Sequence, residues 1–257
     1  MPTCRLTISL KRVPVHRSSW TKADLHVHTN YSDGGHDIPT MLAHVVEHTD
    51  IAVLAITDHD CIVGAFEAQR MAPEFGIEVV IGQEVSTARG HVLGLYLCER
   101  VPAGLSIPQT VALIHEQGGL AVLAHPCDRM TNSPMRYWPR PTEEEWAAFG
   151  VDALEGCNGC QLDPQASVRA VDLGQRLGLP LTGGSDAHHK EALGTGYTLF
   201  PGRTAQDLRR AIELGTCRCA GAGWAAREYL GWITLSWWPR AYQDLQRTAL
   251  NLAALHL

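Results

Sequence analysis

From Ala23 onward, short apolar runs alternate with longer stretches of helical spacing. Asp24–His28 reads as a strand, followed by a turn at Ser32–Gly35. Ile51–Ile56 is continuous and apolar, the pattern of a strand buried on both faces. Ile77–Ile81, His91–Leu97, Leu120–Ala124, Val151–Glu155 and Leu179–Thr182 complete the strand series. Helices fit between them at Pro39–His48, Ile62–Glu74, Pro108–Gln117, Pro164–Leu177 and Thr204–Leu214, with a capping-box start at Thr142 and Glu145. Residues 128–141 read as a long loop. Six or seven strand–helix units in series predict an α/β fold with a mostly parallel sheet, closed or nearly closed into a barrel. The expected organisation is an arm over 1–22, a barrel domain over 23–221 and an extension over 222–257. The extension carries Trp224, Trp232, Trp237 and Trp238 and a helix over Arg240–His256. It would pack across the barrel or form a homo-oligomer contact.

Composition narrows the class. Hydrophobic residues make up 45% of the 257, and charged residues 19%, which excludes a disordered chain. The formal charge of −6, with no basic block, argues against a duplex DNA partner. No apolar run is long enough for a membrane helix, and Lys11, Arg12 and Arg17 lie in the wrong order for a secretory signal, so the expected compartment is the cytoplasm. The eight cysteines then read as reduced thiols. Cys157 and Cys160 with Cys217 and Cys219 offer a minor alternative, a four-thiolate zinc site.

The 13 histidines carry the chemistry. His26 and His28, two apart on a strand, share one face, where buried imidazoles need a partner. Similar residues recur where successive strands end: Asp33, then Asp58 and His59, then Glu84, His91, His125, and Asp186 with His188. Strand ends are where barrel enzymes place their sites. The recurrence predicts a multinuclear metal site.

Read in order, Asp24-Leu-His-Val-His-Thr29, Tyr31-Ser-Asp-Gly34, Ile56-Thr-Asp-His59, Gly82-Gln-Glu-Val-Ser86, Ala124-His-Pro126 and Gly184-Ser-Asp-Ala-His188 resemble the motifs of the PHP (polymerase and histidinol phosphatase) family, in its small metal-dependent phosphoesterase branch. The similarity runs from about Ala23 to Gly215. It implies a distorted (β/α)7 barrel, here with a C-terminal Trp-rich helical extension, and two or three divalent ions. Manganese, iron or zinc suits the mixed donors. It also implies an allocation: His26, His28, Glu84 and Asp186 on the first ion; Glu84 as a bridge with His91 and His125 on the second; Asp33, His59 and His188 on the third. His91 matches through Gly90-His-Val-Leu-Gly-Leu95. Asp33, where histidinol-phosphate phosphatases usually carry a histidine, argues against that substrate.

The chemistry expected from such a centre is phosphoester hydrolysis by a metal-activated hydroxide. Asp58 would hold a ligand imidazole or a water, and His188 is a candidate to pass a proton to the leaving oxygen. Arg129 and Asn158 are the substrate-binding candidates, with Arg136, Arg140, His189 and Lys190 behind them. The expected substrates are nucleotides, cyclic phosphates or sugar phosphates. Trimming of short RNA from its 5′ end is the near alternative, with Tyr137 and Trp138 as aromatic platforms. A non-catalytic, metal-stabilised assembly domain is the alternative from another class. Hydrolysis of C–N or C–O bonds is a third reading, weakened because no lysine stands at a strand end to become a bridging ligand.

Overall fold

The computed structural model describes residues 20–237. The first 19 residues of the expected arm, and the expected helix over Arg240–His256, lie outside the described residues, as does Trp238. Nine strands form one sheet: β1 (Trp20–Asp24), β2 (Ile51–Ile56), β3 (Glu78–Thr87), β4 (Gly90–Leu95), β5 (Leu120–Leu123), β6 (Ala153–Asn158), β7 (Leu181–Gly184), β8 (Gly196–Pro201) and β9 (Arg218–Gly221). Their order is β7-β6-β5-β4-β3-β2-β1-β8-β9. β1–β2–β3 and β5–β6–β7 are parallel sets. Between them β4 runs antiparallel to both neighbours, so the expected all-in-series pattern is interrupted by a β3–β4 hairpin. The sheet curls until its two ends meet. Val27, just past β1, pairs with Ala187, just past β7, which makes the barrel nearly closed.

Helices α1 (Ile38–His48), α2 (Val63–Phe75), α3 (Ile107–Glu116), α4 (Glu143–Ala148), α5 (Ala166–Leu177) and α6 (Ala205–Glu213) follow the strands. Their starts are written locally. The Asp37 side chain accepts from the Thr40 N–H, and Ser106, Thr142 and Thr204 each close a capping box. Alternation along the strands then builds two cores. β2 gives Leu54 and Ile56 to the layer under α1 and α2, and Val53 and Ala55 to the barrel interior. Leu208, Ala211 and Ile212 of α6 belong to that interior cluster, with Leu93 and Leu95.

The sequence reading placed His26 and His28 on the first strand. In fact β1 starts earlier, at Trp20, and ends at Asp24. The two histidines sit on its continuation, held by His28 N–H donating to the Ala187 carbonyl (2.9 Å) and Thr57 N–H donating to the Val27 carbonyl (2.8 Å). Alternation persists there, so both imidazoles still face inward while Val27 is buried outward. β8 and β9 were not anticipated. After β9, α7 (Ala226–Trp232) and one π-helical turn (Ile233–Trp237) form the described part of the extension. No helix among the described residues is long and apolar enough to cross a membrane.

Candidate metal centre

All nine expected ligands meet at the barrel mouth. Their donor atoms form four overlapping ion-sized groups: His28, Asp33, His59 and His188; His26, His125 and Asp186; His26, His28 and Glu84; and His59, Glu84 and His91. Glu84 lies at the middle. Its Oε2 is 3.1 Å from His26 Nε2, 3.2 Å from His28 Nε2 and 3.2 Å from His59 Nδ1. Its Oε1 is 2.8 Å from His91 Nδ1 and 3.1 Å from His125 Nε2. Asp186 Oδ1 reaches both His26 Nε2 (3.4 Å) and His28 Nε2 (3.1 Å). His188 Nε2 is 3.0 Å from Asp33 Oδ2. His59 stands between two sets, since its other nitrogen is 3.8 Å from the same Asp33 oxygen.

Of these contacts, His125 Nε2 with Glu84 and His188 Nε2 with Asp33 are hydrogen bonds; several of the others have the length of hydrogen bonds but not their directions. His26 Nε2, His28 Nε2, His59 Nδ1 and His91 Nδ1 are buried and make no hydrogen bond. A buried polar atom left without a partner is costly. Nitrogens that converge beside carboxylate oxygens, each missing the other's hydrogen-bonding direction, are the signature of a shared cation. The residues present therefore fit divalent metals, and nitrogen with carboxylate oxygen suits manganese, iron or zinc better than calcium.

The electrostatics agree. Burial opposes charge on Glu84 and Asp186, yet the surrounding imidazoles, His26 foremost, hold both carboxyls well below the usual range. Burial likewise opposes an imidazolium at His28, but Asp186 and Glu84 lift it to about 10. His59, buried and among other imidazoles, goes the other way, down to about 4. Among the described residues, no lysine or arginine pairs with Asp33, Glu84 or Asp186. Positive charge must come from protons or from metal ions.

Backbone strain marks the same place. Only four described non-glycine residues have positive φ: Asp60 (51°), Tyr96 (59°), His125 (30°) and Asp186 (53°). Two are ligands, and Asp60 follows a third. Such conformations persist where surrounding contacts over-determine them. Asp60 N–H, for example, donates to the Glu84 carbonyl at 2.9 Å.

The surrounding residues depart from several expectations. The Asp58 carboxylate makes no hydrogen bond to an imidazole among the described residues. It accepts from Thr29 N–H, Thr29 hydroxyl and Ser32 hydroxyl, each at 2.7 Å, and so anchors the loop that carries Asp33. Asn158 is buried, and its amide nitrogen donates to Glu155 Oε2 (3.0 Å) and Asp186 Oδ2 (3.1 Å), facing the ligands rather than a substrate. His188 has both nitrogens engaged, Nδ1 by the Asp186 carbonyl at 2.9 Å and Nε2 by Asp33 at 3.0 Å. Arg129 is exposed on the 128–141 loop. In that loop Asn132 lies 2.7 Å from His91 Nε2 and accepts from the Tyr137 hydroxyl at 2.7 Å. His189 does not line the mouth; its Nε2 lies 2.6 Å from the Glu228 carbonyl. The four thiols of the zinc alternative form no metal-sized group among the described residues.

Sequence reasoning missed Glu155 and Asp24 as site residues. Glu155 sits behind His26, with Oε1 3.0 Å from Nδ1. Asp24 accepts from Ser185 N–H (2.8 Å) and Gly194 N–H (2.9 Å), tying β1 to the loop that carries Asp186. The signal for Asp24 was its place two residues before His26. For Glu155 it was a carboxylate at the end of an otherwise apolar strand. The extension packs on the barrel: Trp224 Nε1–H donates to the Ser185 carbonyl at 2.9 Å, and the rings of Trp224 and Trp232 lie 6.2 and 6.1 Å from His188.

A barrel with imidazoles and carboxylates grouped at its mouth defines a class, a domain whose His, Asp and Glu side chains could hold metal ions. Comparison with known proteins gives the family. The PHP domain model matches residues 24–163 and the PHP-associated model matches residues 164–217. The chain belongs to the PHP domain family. It is 44% identical over 115 residues to the uncharacterized protein MJ1587 of Methanocaldococcus jannaschii, which covers 41% of this chain and 67% of that protein. It is 37% identical over 105 residues to a 5′-3′ exoribonuclease of Haemophilus influenzae, spanning 39% of this chain and 38% of the enzyme. It is 39% identical over 84 residues to a 3′,5′-nucleoside bisphosphate phosphatase of Chromobacterium violaceum, spanning 31% of this chain and 29% of the enzyme. The fold is similar to that of a two-domain protein of Bacteroides vulgatus containing a predicted PHP-like metal-dependent phosphoesterase, with a TM-score of 0.65 and 17% identity over 79% of this chain and 65% of that one.

Proposed function

We propose that this chain is a metal-dependent hydrolase of phosphate esters and that its substrate is a small nucleotide phosphate. The observation that carries the reading is the convergence of unpartnered imidazole nitrogens on Glu84 and Asp186. Divalent ions held there supply an activated water near neutral pH and positive charge for the phosphoryl oxygens. The chain's own residues do the rest. Glu84 turns one oxygen to His26, His28 and His59 and the other to His91 and His125, so it would be shared between the two ligand sets if both held an ion. His26, His28 and Glu84 are sealed from solvent, whereas the Asp33 and His59 side chains are 36% and 29% exposed. The phosphate enters on the Asp33 and His59 side. Arg129, exposed on the loop that follows His125, is the arginine assigned to a phosphate oxygen pair in this reading.

Tyr31 and Tyr137 argue for a nucleoside. Both are exposed, and both lie within one loop of a ligand, Tyr31 between His28 and Asp33 and Tyr137 against Asn132. Such rings stack on any base. The nucleoside bisphosphate phosphatase relative supports the same class. A second reading, 5′-end trimming of short RNA, is favoured by exposed Trp138 with Arg136 and Arg140 beside it, and by the exoribonuclease relative. A cytoplasmic location belongs to this reading. Self-association would rest on Leu230, Ile233 and Leu235, which are exposed on the extension; size-exclusion chromatography tests it.

The deciding assay measures phosphate release, with added manganese, from 3′,5′-bisphosphates, mononucleotides, cyclic phosphates, sugar phosphates, histidinol phosphate and a short 5′-phosphorylated RNA. Release from nucleotides and none from histidinol phosphate is expected. Turnover of the RNA alone moves the reading to the exoribonuclease. Metals bound without release from any phosphoester overturns the enzymatic reading in favour of an assembly domain.

A further inference from the structure

Glu155 touches neither the solvent nor the open side of the mouth, yet three donors converge on it. His26 Nδ1 lies 3.0 Å from Oε1. His125 N–H and the Asn158 amide nitrogen donate to Oε2 at 2.8 and 3.0 Å. The same Asn158 nitrogen continues to Asp186 Oδ2 at 3.1 Å. His26, His125 and Asp186 are together one of the ion-sized groups. Two residues thus hold every member of one ligand set from behind.

We propose that Glu155 is a positioning residue for the metal centre, fixing the ligand set His26–His125–Asp186 with Asn158 as its second arm. The inference rests on the metal-site reading above but not on the identity of the substrate. A carboxylate is the side chain that can do this, because it is acceptor-only and all three partners are donors. Accepting from His26 Nδ1–H fixes the tautomer, so the Nε2 lone pair faces the ion. That nitrogen is one of the unpartnered ones. Accepting from His125 N–H holds that residue in its left-handed conformation. Glutamine at this place would turn an N–H toward a donor and leave one partner unsatisfied.

The sequence places this device through a β-bulge. In a regular strand, residues 155 and 158 would face opposite sides. Along β6 the pairing shifts: Glu155 opposes Thr182, while Cys157 opposes Gly183. The extra residue is Gly156, and it turns Glu155 and Asn158 to the same side. A Cβ on Gly156 would meet Cys219 Sγ at 2.8 Å and Leu181 Cδ2 at 3.1 Å. On the facing strand, a Cβ on Gly184 would meet His26 Cβ at 2.4 Å and Glu155 Oε1 at 2.9 Å. Gly184 thus keeps space for the Glu155–His26 contact, and Gly156 lets β6 pack against Leu181 and Cys219.

The test uses metal affinity, read separately from turnover. Metal-stripped full-length protein, wild type, Glu155→Gln, Glu155→Ala and Asn158→Ala, is titrated with cobalt(II), following heat and the visible spectrum. Glu155→Gln and Glu155→Ala should weaken one of the bound ions by about 10–100-fold and change its cobalt spectrum. Asn158→Ala should act on the same ion and more weakly. Circular dichroism of the stripped proteins should match the wild type. If Glu155→Ala does not fold, the isosteric Glu155→Gln carries the test. Wild-type affinity and an unchanged spectrum in a folded Glu155→Gln would overturn the inference. Absence of phosphate release in the wild type would count only against the enzymatic reading.

Discussion

The two ends of the barrel hold the same chemical pair in opposite circumstances. At the end where β5 and β6 begin, His115 Nε2 lies 2.9 Å from Asp152 Oδ2. At the mouth, His26 Nε2 lies 3.1 Å from Glu84 Oε2. The first pair is 42% and 30% exposed and is an ordinary hydrogen bond, with Asp152 also accepting from Ala121 N–H at 2.7 Å. The second is buried, and its nitrogen makes no hydrogen bond. Residue type and distance do not distinguish the two. Burial, convergence of further ligands and missing hydrogen-bond direction do. A metal site is a place where donors are aimed at a point rather than at one another.

The sharpest way to break this contrast is to remove one partner at each end. Glu84→Ala takes the central carboxylate from five imidazoles and should lower metal-dependent phosphate release at least ~10^3-fold, since the ions supply several kcal/mol of transition-state stabilisation. His115→Ala should keep activity within about two-fold and stability within about 1 kcal/mol, as expected of an exposed pair. Equal losses in the two variants would erase the distinction.

Chelation comes next. Ligands that bind only the folded state stabilise it by about 2.7 kcal/mol at one hundred times Kd. Removing metal should lower the Tm of wild type and His115→Ala by the same several degrees, and that of Glu84→Ala by less. A thermal melt with and without chelator checks it. A smaller effect is expected at Asp58. Asp58→Ala strands the donors of Thr29 and Ser32, at a cost of about 1.5–3 kcal/mol in urea unfolding, and lowers activity by loosening the Asp33 loop. Unchanged activity would detach Asp58 from the site.

The smallest effect concerns two buried thiols, Cys127 and Cys217. Burial pushes Cys127 and Cys217 up to about 11, from an ordinary value of 9.0. Between those values the unfolded chain releases protons that the native chain retains, so these groups lower stability as pH rises through that window. At pH 8.5 iodoacetamide should modify exposed Cys98 first and reach Cys127 and Cys217 only on unfolding. Mass spectrometry of the alkylated peptides would show it.

Much of the mouth was legible because ligand chemistry is written in single residues at strand ends. The nine expected ligands needed only residue type and a rough idea of where each strand stopped, so ending β1 at Asp24 rather than His28 did no harm. What stayed hidden depends on partners distant in sequence. Asp58 looked like a group for an imidazole, but its side-chain partners are Thr29 and Ser32, beyond the adjacent strand β1. For Asn158 the hidden part was its contact with Asp186, which depends on the bulge at Gly156. β9 was masked by Cys219 and the adjacent Cys217, which suggested metal chemistry rather than a four-residue edge strand. The antiparallel β4 could not be read from strand and helix spacing, which does not record direction.

The most direct test of the central claim is to count ions. Inductively coupled plasma mass spectrometry on purified wild type, Glu84→Ala and His115→Ala reads metal per chain without any assumption about substrate. The account predicts two or three divalent ions in wild type and His115→Ala, and the loss of at least one in Glu84→Ala. A wild type that binds fewer than one ion per chain under metal-replete conditions, or a folded Glu84→Ala that keeps them all, would contradict it.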